Sequence, residues 1–196
     1  MPKIIGIILT VGAVAFAIAM IVSFKSKGIE MPEYEVLKTY GDVEVRKYPN
    51  MVVAKTSLNS NSFENSGSQG FRTIANYIFG GNETNQKIAM TAPVVMSMGD
   101  SASMYFVMPK QYSKQALPKP LGAGVAIAEE VSKTLAVLRY GGYSSDRDIQ
   151  KYCDKLKQEL EKQGVKSKGS YMYMGYNAPW DVVNRRNEVA IEVEWN

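Results

Sequence analysis

The rhythm of apolar and polar positions changes several times along this chain, and each change marks an element. From Ile88 the apolar residues take every second position: Ile88, Met90, Ala92, Val94, Met96 and Met98. That period of two predicts a half-buried β-strand. Pro93 lies in the other register, can donate no ladder hydrogen bond, and so marks a strand break or an edge position that bends the sheet. Similar runs are "YEVLKTY" and "DVEVRKY", which join at Gly41-Asp42 as a hairpin, and "MVVAKTSL" after Pro49-Asn50. "SMYFVMP" places Met104, Phe106 and Met108 on one face. "VAIAEEV", "TLAVLRYGG", "YMYMGY" and "EVAIEVEW" complete the set. In the last, Val189, Ile191, Val193 and Trp195 alternate with Glu188, Ala190, Glu192 and Glu194.

Twice the period lengthens to that of a helix. "NSNSFENSGSQG" reads as a polar lead-in to Phe71, Ile74, Ala75 and Ile78, an i, i+3, i+4, i+7 stripe that Gly80-Gly81 ends. A second helix starts near Ser145, where Ser145 and Asp148 have capping-box spacing. Ile149, Tyr152, Cys153, Leu156 and Leu160 form its stripe, and Gly164 closes it. Its outer face, "DKLKQELEK", is a solvated surface with i, i+4 pairs. "LPKPLGAG", Leu117 to Gly124, is a turn-rich break between two halves that repeat in pattern but not in sequence. Strands, helix, strands, twice over, predict an α+β, mostly antiparallel fold with two helices packed on a curved sheet or open barrel.

The first two dozen residues follow neither rhythm. Ile4 to Phe24 is 21 residues without a charge, bracketed by Lys3, Lys25 and Lys27. A helix of that length spans about 30 Å, the hydrocarbon thickness of a bilayer. The segment reads as an uncleaved single-pass anchor. Ala15-Phe16-Ala17 and Ala17-Ile18-Ala19 also fit signal-peptide cleavage, and a buried core helix is the third reading. Small residues at Ala13/Ala17 and Ala15/Ala19 suit packing against another membrane helix. The expected division is residues 1–29 as anchor and linker and 30–196 as one domain, held outside the cytoplasm.

Composition narrows the chemistry. The net charge of +4 overstates the domain, because Lys3, Lys25 and Lys27 precede every acidic residue. From Glu30 onward 20 basic residues face 19 acidic ones, which gives no electrostatic case for nucleic acid. One cysteine, Cys153, rules out an internal disulfide, and the absence of histidine rules out Ser-His-Asp and Cys-His catalysis. No catalytic set and no metal-ligand set is evident, so no enzymatic activity is expected.

Four motifs in order, "GFRTIANYIFGG", "KIAMTAPV", "YNAPW" and "RRNEVAIEV", resemble the SOUL haem-binding family, which includes the animal haem-binding proteins. The resemblance runs from about Met31 to Trp195, and membrane-anchored or exported bacterial members are similar in style. It implies a distorted antiparallel β-barrel of two pseudo-repeated strand-helix-strand halves with both helices outside. It also implies binding of haem or another tetrapyrrole in a hydrophobic site, without catalysis in most members. The same barrel resembles drug-binding domains of bacterial transcription regulators that bind flat apolar ligands.

If haem is the ligand, its iron has no histidine to meet, and methionine, tyrosine, cysteine and lysine remain. Cys153 falls on a core stripe. Met172 and Met174 alternate with Tyr171 and Tyr173, so only one of these pairs faces a given site. Capture of the ring by its face, without a strong axial bond, is the simplest model. The methionine face around Met90 reads either as adaptable core packing or as a soft wall for a flat ligand. Haem propionates call for arginine or lysine. The family's positions for this, at the start of the first helix and in the loop after the aromatic turn, correspond to Ser68 and Asp181, and neither is cationic. Arg72, one turn along, substitutes. The expected pocket is therefore Phe71, Arg72, Ala75, Met90, Met172 and Met174.

Nearby features have structural readings. Arg185 or Arg186 is expected to pair with a carboxylate, and Asn187 to shape the turn. "YNAPW" is expected to be a rigid aromatic turn in which Pro179 holds Ala178 extended and Trp180 covers apolar surface. Three functions follow: a membrane-tethered tetrapyrrole module acting as carrier, buffer or scavenger; an accessory subunit using the fold for contacts with a membrane-protein partner; and a haem-handling enzyme, which the missing histidine disfavours.

Overall fold

The computed structural model describes residues 28–178 and 180–195. The Ile4–Phe24 segment lies outside them; among the described residues no helix is long and apolar enough to cross a membrane.

Nine strands form one sheet: β1 (Glu35–Tyr40), β2 (Val43–Tyr48), β3 (Met51–Ser57), β4 (Val94–Ser97), β5 (Ser103–Val107), β6 (Ala126–Glu130), β7 (Lys133–Tyr140), β8 (Ser167–Gly175) and β9 (Asn187–Val193). Helix α1 (Phe63–Ile78) joins β3 to β4, and α2 (Asp146–Gln163) joins β7 to β8. The sheet order is β1-β2-β7-β9-β8-β4-β5-β3-β6, and neighbouring strands run antiparallel. The strands-helix-strands rhythm of each half is therefore present.

The curved sheet is present too, but the distorted barrel implied by the family resemblance does not close. β1 and β6 are free edges, and the sheet curls without joining them. The chain itself bridges the gap at two corners: β2 passes to β3 through Pro49-Asn50, and β6 to β7 through Val131-Ser132. There Ser132 donates its N–H to Asn50 Oδ1 (2.7 Å) and its hydroxyl to the Tyr48 carbonyl (2.8 Å). Side chains fill the curl instead of ladder bonds. Val53, Tyr105 and Val107 from one wing pack with Leu135, Val137 and Ala190 from the other. The free edge β1 carries Glu35 and Lys38 on either side of a bulge, a feature that discourages edge-to-edge pairing.

Both helices cover the opposite face. α2 lays Ile149, Cys153, Leu156 and Leu160 on β2, β7 and β9. α1 lays Ile74, Tyr77 and Ile78 on β3 and β5. Each such side chain contributes about 1.5–3 kcal/mol relative to exposure. The capping box of α2 is formed, with Ser145 Oγ accepting from Asp148 N, and Gly164 closes the helix at a φ of 68°. α1 begins at Phe63, within the stretch that reads as a polar lead-in. Its first turns are capped by Ser62 and pressed against the sheet through Gly70. A Cβ at Gly70 would lie 2.6 Å from Leu58 Cδ2, so glycine there permits the approach.

The predicted strand from Ile88 shortens to β4. Thr91 donates to the Val107 carbonyl (2.5 Å), the Ala92–Pro93 peptide is cis, and pairing starts only at Val94. The methionine face of this segment looks into the helix-covered core. Met90 packs with the α1 cluster, and Met96 and Met98 pack with the α2 cluster.

Candidate functional site

The six residues expected in one pocket fall on two faces of the sheet. Ala75 is a buried residue of α1, while Phe71 and Met90 are half-buried against the cluster of Ile74, Tyr77 and Phe106. Phe71 meets the Phe106 ring at 5.4 Å. Arg72 is exposed one residue further along the helix. Met172 and Met174 lie on the helix-free face at 7% and 3% exposure, within the side chains that fill the curl. The alternation along β8 is as expected, with Tyr173 turned towards α2. Phe71 and Met90 thus share the rim of one cluster, Arg72 and Ala75 lie on the same helix as Phe71, and Met172 and Met174 lie on the other face.

At one end of the helix-free face sits a buried charge cluster. Glu188 on β9, 0% exposed, receives Arg46 Nη1 at 2.9 Å and Nη2 at 3.2 Å from β2. Arg186 Nη2 (2.8 Å) and Nε (3.0 Å) reach the same carboxylate, as does the Tyr176 hydroxyl (2.7 Å). Arg46 also holds Glu44 at 2.7 Å and lies over the Tyr34 ring. Burial alone would raise the Glu188 pKa, but hydrogen bonds and charge from Arg46, with Tyr176 and Arg186, leave it below the ordinary glutamate value. Burial raises the Tyr48 hydroxyl to about 12. Every strong group here has a partner, so the cluster locks β2 to β9 and presents no idle acid or base. The expected pairing of Arg186 with a carboxylate is seen. Arg46 escapes a reading of the sequence, where its only signal is a charge on the face of β2 opposite Val43 and Val45.

A groove of about 380 Å³ opens beside α2, lined by Asn61, Met98, Ile149, Cys153, Ser170 and Tyr171 among others. Asp146 forms one side of its wall and is already engaged. It accepts from Ser62 Oγ (2.5 Å) and from the backbone N–H of Phe63 (2.7 Å) and Glu64 (3.4 Å). A carboxylate in the first turn of α2 thereby caps the positive end of α1 and ties the helices together. Cys153 is enclosed, and burial followed by the charge of Asp154 pushes its thiol up to about 12.

The β8–β9 connection is held from within. Asp181, 2% exposed, accepts from Ala178 N (3.1 Å) and Asn177 Nδ2 (3.3 Å). Arg185 Nη1 donates to the Ala178 and Asp181 carbonyls (2.9 and 2.6 Å) and stacks on Tyr143. Asn187 donates to Gly142 O and accepts from the Tyr173 hydroxyl, so it braces two loops. Trp180, expected to cover apolar surface, is 57% exposed.

One coiled antiparallel sheet with two helices on one face defines a known class of α+β module. The crystal structure of the EcmrR C-terminal domain shares the fold, with a TM-score of 0.61 at 12% identity, covering 83% of this chain and 99% of that one. A hydrolase from Listeria innocua also shares it, with a TM-score of 0.56 at 8% identity, covering 81% and 94%. The chain itself belongs to the SOUL heme-binding protein family, whose model matches residues 29–192. Human "Heme-binding protein 2" is 31% identical over 160 residues, covering 76% of this chain and 77% of that protein. "Heme-binding protein 1" of Xenopus laevis is 25% identical over 154 residues, covering 74% and 80%.

Proposed function

We propose that this protein is a membrane-tethered tetrapyrrole-binding module, a carrier, buffer or scavenger that performs no chemistry on its guest. The observation that carries the reading is family membership across nearly the whole described domain, together with relatives named as heme-binding proteins. These support haem as a ligand. Three of the expected residues fit it. Phe71 and Met90 offer half-buried apolar surface to the ring, and Arg72 supplies a cation for a propionate. No histidine exists to bind the iron, so a guest held here is held by its face. When bound, haem brings only its own iron and macrocycle; the chain's role is to shield one face and pair one carboxylate. Ile4–Phe24 is the tether, with the domain on the extracytoplasmic side.

Hemin titration of the full chain in mild detergent tests this. A saturable Soret shift at one-to-one stoichiometry is expected, weakened in both Met90→Ala and Arg72→Ala. The groove beside α2 is a second place for a flat guest because it holds the Met98 thioether and Tyr171 in an open hollow. Met98→Ala separates the two: it leaves binding unchanged if α1 is the site. Absence of any saturable change, with co-purification of a fixed membrane protein, would favour the accessory-subunit reading.

A further inference from the structure

The β8–β9 loop is inverted relative to an ordinary surface loop. Its carboxylate, Asp181, is turned inward and Arg185 is spent on clamping the backbone, while Trp180, Val182 and Val183 point outward at 57%, 39% and 38% exposure. Tyr143, 61% exposed on the adjoining turn, is joined to the loop by the Arg185 stack at 4.2 Å. Internal clamps of this kind fix which residues face out. Water alone gives no reason to hold an indole and two valines there, whereas a partner that removes them from water does.

The position of the chain's tether names that partner. The first described residues pair at Glu30 with Thr91 and Ala92 and reach the neck of this loop at Met31. Arg186 Nη1 contacts Met31 Sδ at 3.9 Å, and Tyr176 N bonds to Arg186 O across the neck. From Phe24, the end of the apolar segment, to Gly28 is four residues, at most about 14 Å of extended chain. A segment embedded in a bilayer therefore keeps this end of the domain within reach of the lipid surface. Among the exposed charges at this end, Arg139 and Arg147 flank the Tyr143 turn, while Glu30 and Glu33 lie on the first described segment, where Glu33 is paired with Lys110. Asp146 and Asp148 nearby are both engaged in helix caps. Tryptophan beside aliphatic residues and arginine is the composition of a membrane interface.

We infer that the loop tip, Trp180, Val182 and Val183 with Tyr143, docks on the lipid headgroup region of the membrane that holds the tether. The inference rests on the tether reading and adds an orientation to it: the domain lies with its β8–β9 end on the bilayer.

The test uses the full chain reconstituted into vesicles of phosphatidylcholine and phosphatidylglycerol. A Trp195→Phe background leaves Trp180 as the only indole. Lipids brominated high on the acyl chain are expected to quench Trp180. The Trp180→Phe chain, which reports Trp195, is expected to keep its intensity. Val182→Asp with Val183→Asp, at two exposed positions, is expected to abolish the quenching with the far-ultraviolet dichroism unchanged. Trp180 that remains as open to aqueous iodide in vesicles as in detergent would overturn the docking while leaving the tether intact. So would saturable quenching by hemin without quenching by brominated lipid, which would give the loop to the tetrapyrrole site instead. Failure of the chain to float with vesicles after a high-salt wash would overturn the tether and the docking together.

Discussion

Replacing Glu188 with glutamine removes one charge from the centre of the buried cluster and changes little else in volume. In the wild type that carboxylate is 0% exposed and accepts from Arg46, Arg186 and Tyr176. Without it Arg46, 3% exposed, keeps only Glu44 as an ionic partner among the described residues. Removing one member of a buried pair costs about 3–5 kcal/mol, because the remaining charge is stranded. Glu44 is half-exposed and stays at 2.7 Å, which sets the loss near the lower end, ~3 kcal/mol. That is a large share of a typical 5–15 kcal/mol total. At about 2–4 °C per kcal/mol for a domain of this size, the midpoint should fall by roughly 6–12 °C. The acid side supplies a second readout. Glu188 has a lowered pKa in the folded state, so its contribution is complete above the ordinary glutamate range and disappears as pH falls through the folded value. The wild type should lose stability over that acid range more steeply than E188Q. Urea titrations of both chains in the same detergent, at neutral pH and through the acid range, measure both effects. A loss below about 1 kcal/mol at neutral pH, within the spread of ordinary surface substitutions, together with parallel acid profiles, would show that the cluster contributes nothing specific.

Two further outcomes follow from the same packing. Asp146→Ala strips the cap from α1 and should lower stability by about 1–2 kcal/mol in the same titration, with faster amide exchange in the first turn of α1 than in α2. Cys153 should stay unreactive towards an aromatic disulfide reagent under native, mildly alkaline conditions and react fully in denaturant, because it is 3% exposed and its thiol titrates only near about 12.

Elements whose signals are local are legible in the chain. The hairpin at Gly41, the capping box at Ser145 and the alternation through β9 each depend on residues a few positions apart, and each forms where expected. The first turns of α1 are not legible. Ser66, Gly67 and Gly70 look like loop residues, yet all three are buried in the helix, and at Gly70 a Cβ would collide with Leu58 and crowd Met104. Whether the curved sheet closes is not legible for a related reason. A period of two says which face a strand buries, not whether the last strand meets the first. The candidate site follows the fold in this. Phe71 and Met90 pack on one cluster, whereas Met172 and Met174 rest on alternation alone and lie on the other face. Arg46 and Glu188 meet across 142 residues of sequence, a contact that no local pattern encodes.

Where the core is already filled bears on how a planar guest is held. On the helix-free face Tyr105 and Met172 touch at 4.0 Å, with Val53, Val137 and Met174 packed around them, and the Arg46–Glu188 lock closes one end. A ring entering there would have to displace several buried side chains and break a buried ion pair. The rim of α1 asks for neither, since Phe71 and Met90 are already half in solvent. Binding on a rim is limited by area. At ~25 cal/mol per Å², micromolar affinity, about 8 kcal/mol, needs roughly 330 Å² of apolar surface removed from water, before any cost of association. If that area supplies the affinity and no imidazole supplies an axial bond, the iron is dispensable. Protoporphyrin IX should then bind with nearly the same dissociation constant as hemin, read from porphyrin fluorescence beside the Soret titration. An affinity for hemin more than about tenfold higher, equivalent to 1.4 kcal/mol, would show that a side chain reaches the iron. Met90→Ala, Met98→Ala and Tyr171→Phe would then be the variants that identify it.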